Sequence, residues 1–274
     1  MILRRKIPMK KLLALALALC LVLGTSAAMA DTFRQGIDPE YPPFSYRDDN
    51  GEFAGFDVDV CKAVCEKLGW EYEAFPVNWD TKEQSLNANE HDCVWSGMTI
   101  KQSMIDAGFV ISAPYYENKQ VILTKEANGI ASSADLAGKR VAVMLGTSGE
   151  EMLGTPQAKG GQLELAETFE GGAPVTMESF LNCATELDAN GVDAVIVDLP
   201  VAINLKSRYA DFIVLDEVLG NEQYGILFRA GDEELCKQVE AAVAELVAEG
   251  TYAELLAKYE DLDPLNFILL NAAE

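Results

Sequence analysis

This sequence of 274 residues contains little histidine and no closely spaced cysteine pair typical of a redox or metal site. His91 is the one histidine, so Ser-His-Asp chemistry would have to use it, and we expect it to be a solvated turn residue without a catalytic role. The cysteines form no Cys-x-x-Cys pair and show no spacing typical of a zinc site. We therefore expect no enzymatic activity, no cofactor and no metal.

The cysteines that follow residue 30 are odd in number, so at least one has no partner within the chain. Buried free thiols and a single disulfide remain alternatives. The residues concerned are Cys61, Cys65, Cys93, Cys183 and Cys236.

Basic residues are also few, since 21 lysines and arginines face 44 aspartates and glutamates and give a net charge of −23. Such a surface repels nucleic acids and anionic lipid headgroups. We expect neither as a partner.

A long apolar run occurs only near the N-terminus, over residues 12–23, after a basic segment and before Ala28-Met29-Ala30. This pattern predicts a secretory signal peptide cleaved after Ala30. A membrane span is the rival interpretation, but the run is shorter than the roughly 20 residues that a span needs. Leu19 precedes Cys20 where lipoprotein processing demands a small residue, so we expect a periplasmic or extracellular protein starting at Asp31.

Short β-rich runs alternate with helical patterns along the rest of the chain, which is typical of an α/β architecture. The predicted strands are 32–37, 72–77, 93–96, 140–144, 194–197, 212–215 and 224–228, and the predicted helices are 57–68, a stretch through 86, 176–190 and 232–249. Residues 86–95 align without gaps with residues 187–196, each reading as a helix end, a turn and a buried strand. Two equivalent α/β lobes would produce this match, although chance remains an alternative.

Two short stretches can bind charged groups. The turn GTSG at 146–149 offers N–H groups and the hydroxyls of Thr147 and Ser148 to a carboxylate, although an ordinary capped loop fits equally well. Asp198 ends a buried run before Pro200, so its carboxylate either caps a helix or meets a ligand cation. Tyr41 and Trp79 lie in predicted loops, where they can form flat apolar walls.

The sequence resembles the amino-acid-type (family 3) solute-binding proteins of bacterial ABC transporters over essentially all of the chain after residue 30. The stretches that carry the resemblance are DPEYPPFS at 38–45, GFDVD at 55–59, DCVWSGMTI at 92–100, SAPYY at 112–116, LAGKRV at 136–141, GVDAVIVDLP at 191–200 and YGI at 224–226.

The resemblance implies the two-lobed periplasmic-binding-protein fold of type II, in which each lobe is a mixed sheet flanked by helices. It places two hinge crossovers near 115–119 and 220–224. The first lobe would comprise residues 31–117 plus 223–274, and the second lobe residues 118–222, after a signal peptide at 1–30.

The resemblance also implies roles for individual positions. The acidic residue matching Asp198 binds the ligand's α-ammonium group. Other matching positions supply backbone and hydroxyl contacts (Ser96, Gly97 and Thr99), help hold the α-carboxylate (Thr147 and Ser148), flank the ligand side chain (Tyr41 and Trp79) or contact polar side chains in some members (Asp38).

Met104 departs from the family pattern, because members usually carry an arginine there that holds the α-carboxylate in a bidentate pair. Three alternatives follow: the ligand lacks a free carboxylate, Lys101 or another cation substitutes for the arginine, or binding is weak or altered. We favour an altered ligand.

The function implied is capture of an amino acid or amino-acid-like molecule by hinge closure and its delivery to a membrane permease, by a monomer without catalysis. The alternatives are a ligand-binding sensory module and an enzyme similar to cyclohexadienyl dehydratase. The enzyme would need an acid–base residue and carboxylate-binding cations in the cleft.

Overall fold

The structure is a computed structural model that describes residues 31–271, so the predicted signal peptide lies outside the described residues. Its strands are β1 (Thr32–Ile37), β2 (Glu40–Tyr41), β3 (Ser45–Arg47), β4 (Phe53–Ala54), β5 (Glu71–Pro76), β6 (Cys93–Thr99), β7 (Val110–Ile111), β8 (Tyr116–Lys125), β9 (Val141–Met144), β10 (Val175–Met177), β11 (Ala194–Asp198) and β12 (Phe212–Phe228).

The helices alternate with these strands, as the α/β prediction requires. They are α1 (Phe56–Leu68), α2 (Lys82–Asn87), α3 (Gln102–Asp106), α4 (Ser148–Gly154), α5 (Leu163–Ala166), α6 (Phe180–Asp188), α7 (Leu199–Arg208), α8 (Glu233–Glu249), α9 (Thr251–Leu256) and α10 (Ile268–Asn271). In the described part of the chain, no helix is both long and apolar enough to cross a membrane.

Strands β5, β1 and β6 lie at one end of the main sheet, in the predicted first lobe, and β10, β9 and β11 lie at the other end, in the predicted second lobe. Between them lie β8 and β12, so the order β10-β9-β11-β8-β12-β6-β1-β5 runs through both lobes. The two predicted crossovers are antiparallel neighbours, with Lys119 opposite Asn221 and Tyr116 opposite Tyr224. The described residues from Thr32 onward form one compact unit, and the residue bounds of the lobes stay a prediction.

The internal match between 86–95 and 187–196 is present in three dimensions. Asn89 and Asn190 both have a left-handed backbone with φ of 60° and precede β6 and β11, respectively. Asp92 accepts from the backbone N and guanidinium of Arg34 at 2.8–3.2 Å, and Asp193 accepts from the same groups of Arg140 at 2.8–3.2 Å. The same turn and the same ion pair therefore begin one central strand in each lobe.

Helix α1 shows how local sequence sets these elements. Asp57 and Asp59 lie in its first turn and Lys67 in its last, which is the charge order that the helix dipole favours. Gly69 ends the helix in the left-handed conformation, with φ of 71°. The predicted helix 57–68 is confirmed to within one residue, and its apolar face packs against α8.

Long-range pairing overrides the sequence pattern at two places. The predicted strands 212–215 and 224–228 are parts of one strand, β12, whose register against β8 shifts between Val214 and Gly220. The predicted helix 176–190 is wrong at its start, because Val175–Met177 pair with β9 and the helix begins only after Ser179. Ser179 caps it by accepting from the Asn182 N–H group at 3.2 Å.

His91 is not a solvated turn residue, because its ring is fully buried. Its Nδ1 lies 2.9 Å from the Cys93 carbonyl oxygen and its Nε2 lies 2.9 Å from Ser85 Oγ. Burial lowers the pKa of His91, so the neutral ring is a structural element of the first lobe.

The cysteines after residue 30 are all buried free thiols in the described structure. Burial raises the pKa of Cys183 and of Cys93, which suppresses thiolate reactivity. Of the two alternatives for the cysteines, the structure has the free thiols.

Candidate functional site

A small cavity of about 10 Å³ lies where the carboxyl ends of strands from both lobes meet. This volume is about that of one water molecule, so the two lobes are in close contact around it. Its walls come from β2, from the last residues of β6, β9 and β11, and from the segments that follow β1, β5, β9 and β10. The carboxyl ends of strands are the place at which open α/β sheets bind ligands. The lining residues are Asp38, Tyr41, Trp79, Gly97, Thr99, Met144, Thr147, Ser148, Phe180 and Asp198.

Asp198 occupies the N-cap position of α7, but its side chain makes no capping hydrogen bond. Instead, Oδ1 accepts from Asn118 Nδ2 and from Gln120 Nε2, each at 2.6 Å. Burial, followed by the nearby Glu222 carboxyl group, raises the pKa of Asp198 well above its usual range. Of the two sequence interpretations of Asp198, the contacts favour a carboxylate that faces the cleft.

Asp38 is the second buried carboxyl group of the cavity, and burial raises its pKa to about 6. Its backbone N–H donates to Ser96 Oγ at 3.0 Å. Ser96 is itself fully buried, lies 2.5 Å from Ser45 Oγ and is not among the lining residues. Ser96 therefore lies outside the cavity and contacts the backbone of its lining residue Asp38.

Aromatic rings form the apolar walls. Tyr41 stacks on Trp79 with ring centroids 6.4 Å apart and lies 6.0 Å from Phe180 of the second lobe. Gly97 has φ of 57°, and a Cβ atom there would collide with the Tyr41 ring. Glycine thus lets β6 approach the ring that covers it.

Several hydrogen-bonding groups of the turn at 146–149 already have partners within the protein. Glu150 Oε2 accepts from the Gly146 N–H group at 2.8 Å, and the Thr147 hydroxyl donates to the Met144 carbonyl at 2.7 Å. Ser148 Oγ accepts from Gln120 Nε2 at 3.1 Å. The turn lies at the cavity, as expected, but a chain carboxylate already occupies one of its N–H groups.

Met104 is 2% exposed and packs in a hydrophobic cluster with Leu86, Met98 and Leu227, away from the cavity lining. Lys101, the suggested substitute cation, forms an ion pair with Glu151 at 2.7 Å. A role for Met104 in ligand contact stays a prediction.

Lys82 connects the lobes through main-chain oxygens. Its Nζ donates to the Trp79 carbonyl at 2.8 Å and to the Gly146 carbonyl at 3.2 Å, and it lies 4.6 Å from the centroid of the Trp79 ring. Burial lowers the pKa of Lys82 to about 8. Gly146 also lies against Asp80, because a Cβ atom on Gly146 would be 2.7 Å from Asp80 Cα.

A family model described as bacterial extracellular solute-binding proteins, family 3, matches residues 33–261. The chain belongs to this family. This solute-binding protein is 30% identical over 235 residues to the L-cystine-binding protein TcyJ of Escherichia coli strain K12, covering 85% of this chain and 84% of that protein.

Solved structures show the same two-lobed fold. One is a substrate-binding protein of an ABC uptake transporter from Streptococcus pneumoniae with bound histidine, with a TM-score of 0.78 at 25% identity, covering 85% of this chain and 93% of that one. Another is the ancestral amino acid-binding protein AncCDT-1, a precursor of cyclohexadienyl dehydratase, with a TM-score of 0.73 at 32% identity, covering 83% and 95%.

The cleft of this solute-binding protein includes residues that sequence reasoning missed. Phe180 and Met144 follow or end second-lobe strands, so the rule that ligands bind at strand ends could have found them. Asn118, Gln120 and Glu222 lie on the crossing strands β8 and β12, and no local signal marks them. Within residues 31–271 no cluster of three or more histidine, cysteine, aspartate or glutamate side chains could hold a metal ion.

Proposed function

We propose that this protein captures an amino acid or amino-acid-like molecule outside the cytoplasm and delivers it to the membrane permease of an ABC transporter. Family membership supports this role, as do one relative whose name states cystine binding and a different, similar structure that holds histidine. The observation that carries the proposal is the buried Asp198 carboxyl group, which faces a cleft walled by Tyr41, Trp79 and Phe180.

In this proposal Asp198 binds the ligand's ammonium group while the aromatic rings flank its carbon portion. The cavity of about 10 Å³ is too small for an amino acid, so entry requires the lobes to separate and capture requires them to close again. β8 and β12, the paired strands between the lobes, form the hinge in this scheme.

The carboxylate end of the ligand is where this protein departs from its family. Met104 provides no charge, Lys101 is paired with Glu151, and Glu150 occupies the Gly146 N–H group. We propose that the ligand's acid end is modified, as in an amide or a peptide, or is bound without a bidentate cation.

Thermal-shift screening of the chain from Asp31 onward against amino acids, their amides, amines and small peptides tests the function. A ligand at a hundredfold excess over its Kd stabilises the folded state by about 2.7 kcal/mol, which for a chain of this size raises Tm by about 5–10 °C. A screen in which no compound changes Tm would contradict the proposal.

Two variants test whether Asp198 belongs to the ligand-binding site. Asp198→Ala should abolish the Tm shift, because it removes the carboxylate that meets the cation. Asp216→Ala is the matched control, since Asp216 is an exposed aspartate on β12, and it should retain the shift. Equal shifts in both variants would remove Asp198 from the site.

Absence of catalysis stays a prediction, because AncCDT-1 is a precursor of an enzyme. Each compound that shifts Tm should be recovered unchanged by mass spectrometry after prolonged incubation with the protein. Recovery of a product would favour the dehydratase alternative.

A further inference from the structure

Two carboxyl groups flank the hinge strand β8 on one face of the sheet. Asp198 at the end of β11 lies opposite Gln120, and Glu222 of β12 lies opposite Asn118. Because Asn118 and Gln120 are two residues apart on β8, their side chains point to the same face. The pairing of three strands thus brings together residues that are far apart in sequence.

The two carboxyl groups share the same hydrogen-bond donors. Asn118 Nδ2 lies 2.6 Å from Asp198 Oδ1 and 2.5 Å from Glu222 Oε1. Gln120 Nε2 lies 2.6 Å and 3.0 Å from the same two oxygens. Asp198 Oδ1 and Glu222 Oε1 are therefore close neighbours that share the same two amide donors.

In the described part of the chain, no lysine or arginine forms an ion pair with either carboxyl group. Lys101 pairs with Glu151, Lys82 donates to main-chain oxygens, and Lys159 lines the same cavity as Glu222. Asn118 Oδ1 is a further buried acceptor, and it has no hydrogen-bond partner among the described residues. Buried acceptors without a hydrogen-bond donor are uncommon in folded proteins, so we expect a donor at this position.

The pair also lies where two cavities meet. Asp198 lines the small cavity of about 10 Å³, and Glu222 lines an adjoining polar cavity of about 490 Å³. Thr99 and Ser148 line both cavities. Thr99 also donates its hydroxyl to Glu222 Oε2 at 3.1 Å, which fixes the Glu222 side chain toward the cleft.

Building on the proposed function, we infer that Glu222 acts with Asp198 as a paired-carboxylate clamp for the ligand's cationic group, and that Asp198 gives up a proton to solvent when that group binds. The ligand class is an organic cation of net positive charge, such as a basic amino acid, an amino-acid amide or a diamine. Acidic amino acids are excluded because they would add a third anion to the pair.

The proton release follows from electrostatics. Two ionised carboxylates at this separation repel strongly in a buried site, so one of them holds a proton until a cation arrives. The other titratable groups around the pair are the hydroxyls of Tyr41 and Tyr224, whose pKa values burial raises far above neutrality. The remaining charged groups are Asp38 in the small cavity, Lys159 and the Lys101–Glu151 pair in the larger one, and Lys82 beside the Trp79 and Gly146 carbonyls. Affinity should therefore increase as pH rises, by at most tenfold per pH unit for one released proton.

Isothermal titration calorimetry with L-lysinamide, L-lysine, cadaverine and L-glutamate tests the inference. Titrations at pH 7 in phosphate and in Tris, whose ionisation heats differ, measure the number of protons released. For the cations that bind, we expect release of up to one proton per ligand by the wild-type protein and a smaller release by Glu222→Gln. Glu222→Gln should weaken those cations at least tenfold, whereas L-glutamate should bind neither protein.

Glu117→Gln is the matched control, because Glu117 is an exposed glutamate on the same pair of hinge strands, opposite Gln223. It should change affinity less than twofold and leave proton release intact. Cation binding without proton release, with equal affinity in Glu222→Gln, would overturn the inference and leave the proposed function standing. Failure of every compound in the thermal-shift screen would overturn both.

Discussion

The contact between Gly146 and Asp80 gives a direct test of lobe closure. Gly146 has φ of 75°, and an added Cβ atom would lie 2.7 Å from Asp80 Cα and 3.0 Å from Asp80 N. Carbon atoms in contact are normally 3.5–4.0 Å apart, so Gly146→Ala forces the two lobes apart at this point. The same displacement weakens the hydrogen bond from Lys82 to the Gly146 carbonyl.

Two costs must be separated. Alanine in a left-handed conformation costs about 1–2 kcal/mol, and this cost applies whether the lobes are open or closed. The clash with Asp80 applies only to the closed state and, as an overpacking effect, costs about 1–3 kcal/mol. Because ligand capture requires closure, the second cost alone weakens binding, by about 5- to 150-fold.

Gly138→Ala is the matched control, since Gly138 has φ of 71° and a Cβ atom added there would have nothing within 4 Å. Both variants should lose similar amounts of stability in chemical denaturation. Calorimetric titration with the compound that gives the largest thermal shift should show weaker binding only for Gly146→Ala. Equal affinities for the two variants would refute the closed contact as a requirement for binding.

Two further predictions concern buried groups. Burial raises the pKa of Asp38 to about 6 and that of Asp57 to about 7, whereas aspartate in an unfolded chain has a pKa of about 3.9. Between these values the folded state binds more protons than the unfolded state, so Tm should rise as the pH falls from 8 to 5. Asp57→Asn should flatten this rise, and a Tm that falls steadily over the same range would contradict the assignment. For the thiols, Ellman's reagent should react little with the native chain from Asp31 onward, because every sulfur is buried. After unfolding without reductant it should detect all five cysteines, because every sulfur is free. A count of three after unfolding would instead show one disulfide.

Local sequence predicted much of the fold because its signals are short-range. Helix α1 follows from the first-turn acids and from Gly69, which needs no neighbour to adopt its left-handed conformation. The match between 86–95 and 187–196 predicted two related units, and the paired Arg34–Asp92 and Arg140–Asp193 contacts explain why it exists. Asp198 could be proposed because it ends a buried strand, the position that places a side chain at the edge of a sheet.

Other features depend on which strands become neighbours. Sequence periodicity divided β12 into two strands, because the strand crosses both lobes and shifts its register between Val214 and Gly220. His91 looked solvated, since its partners Ser85 and Cys93 reach the ring only when the turn packs against the sheet.

The sequence by itself therefore determined the α/β class, the internal repeat and most residues at the strand ends, because each of these depends on a local pattern. Only the tertiary structure determined which charged side chains meet in the cleft. Glu222 meets Asp198 across β8, and Lys82 reaches Gly146 across the lobes, through pairings between distant segments. It also placed Met104 in a hydrophobic cluster with Leu86, Met98 and Leu227, and it brought Asp198 and Glu222 to the same amide donors.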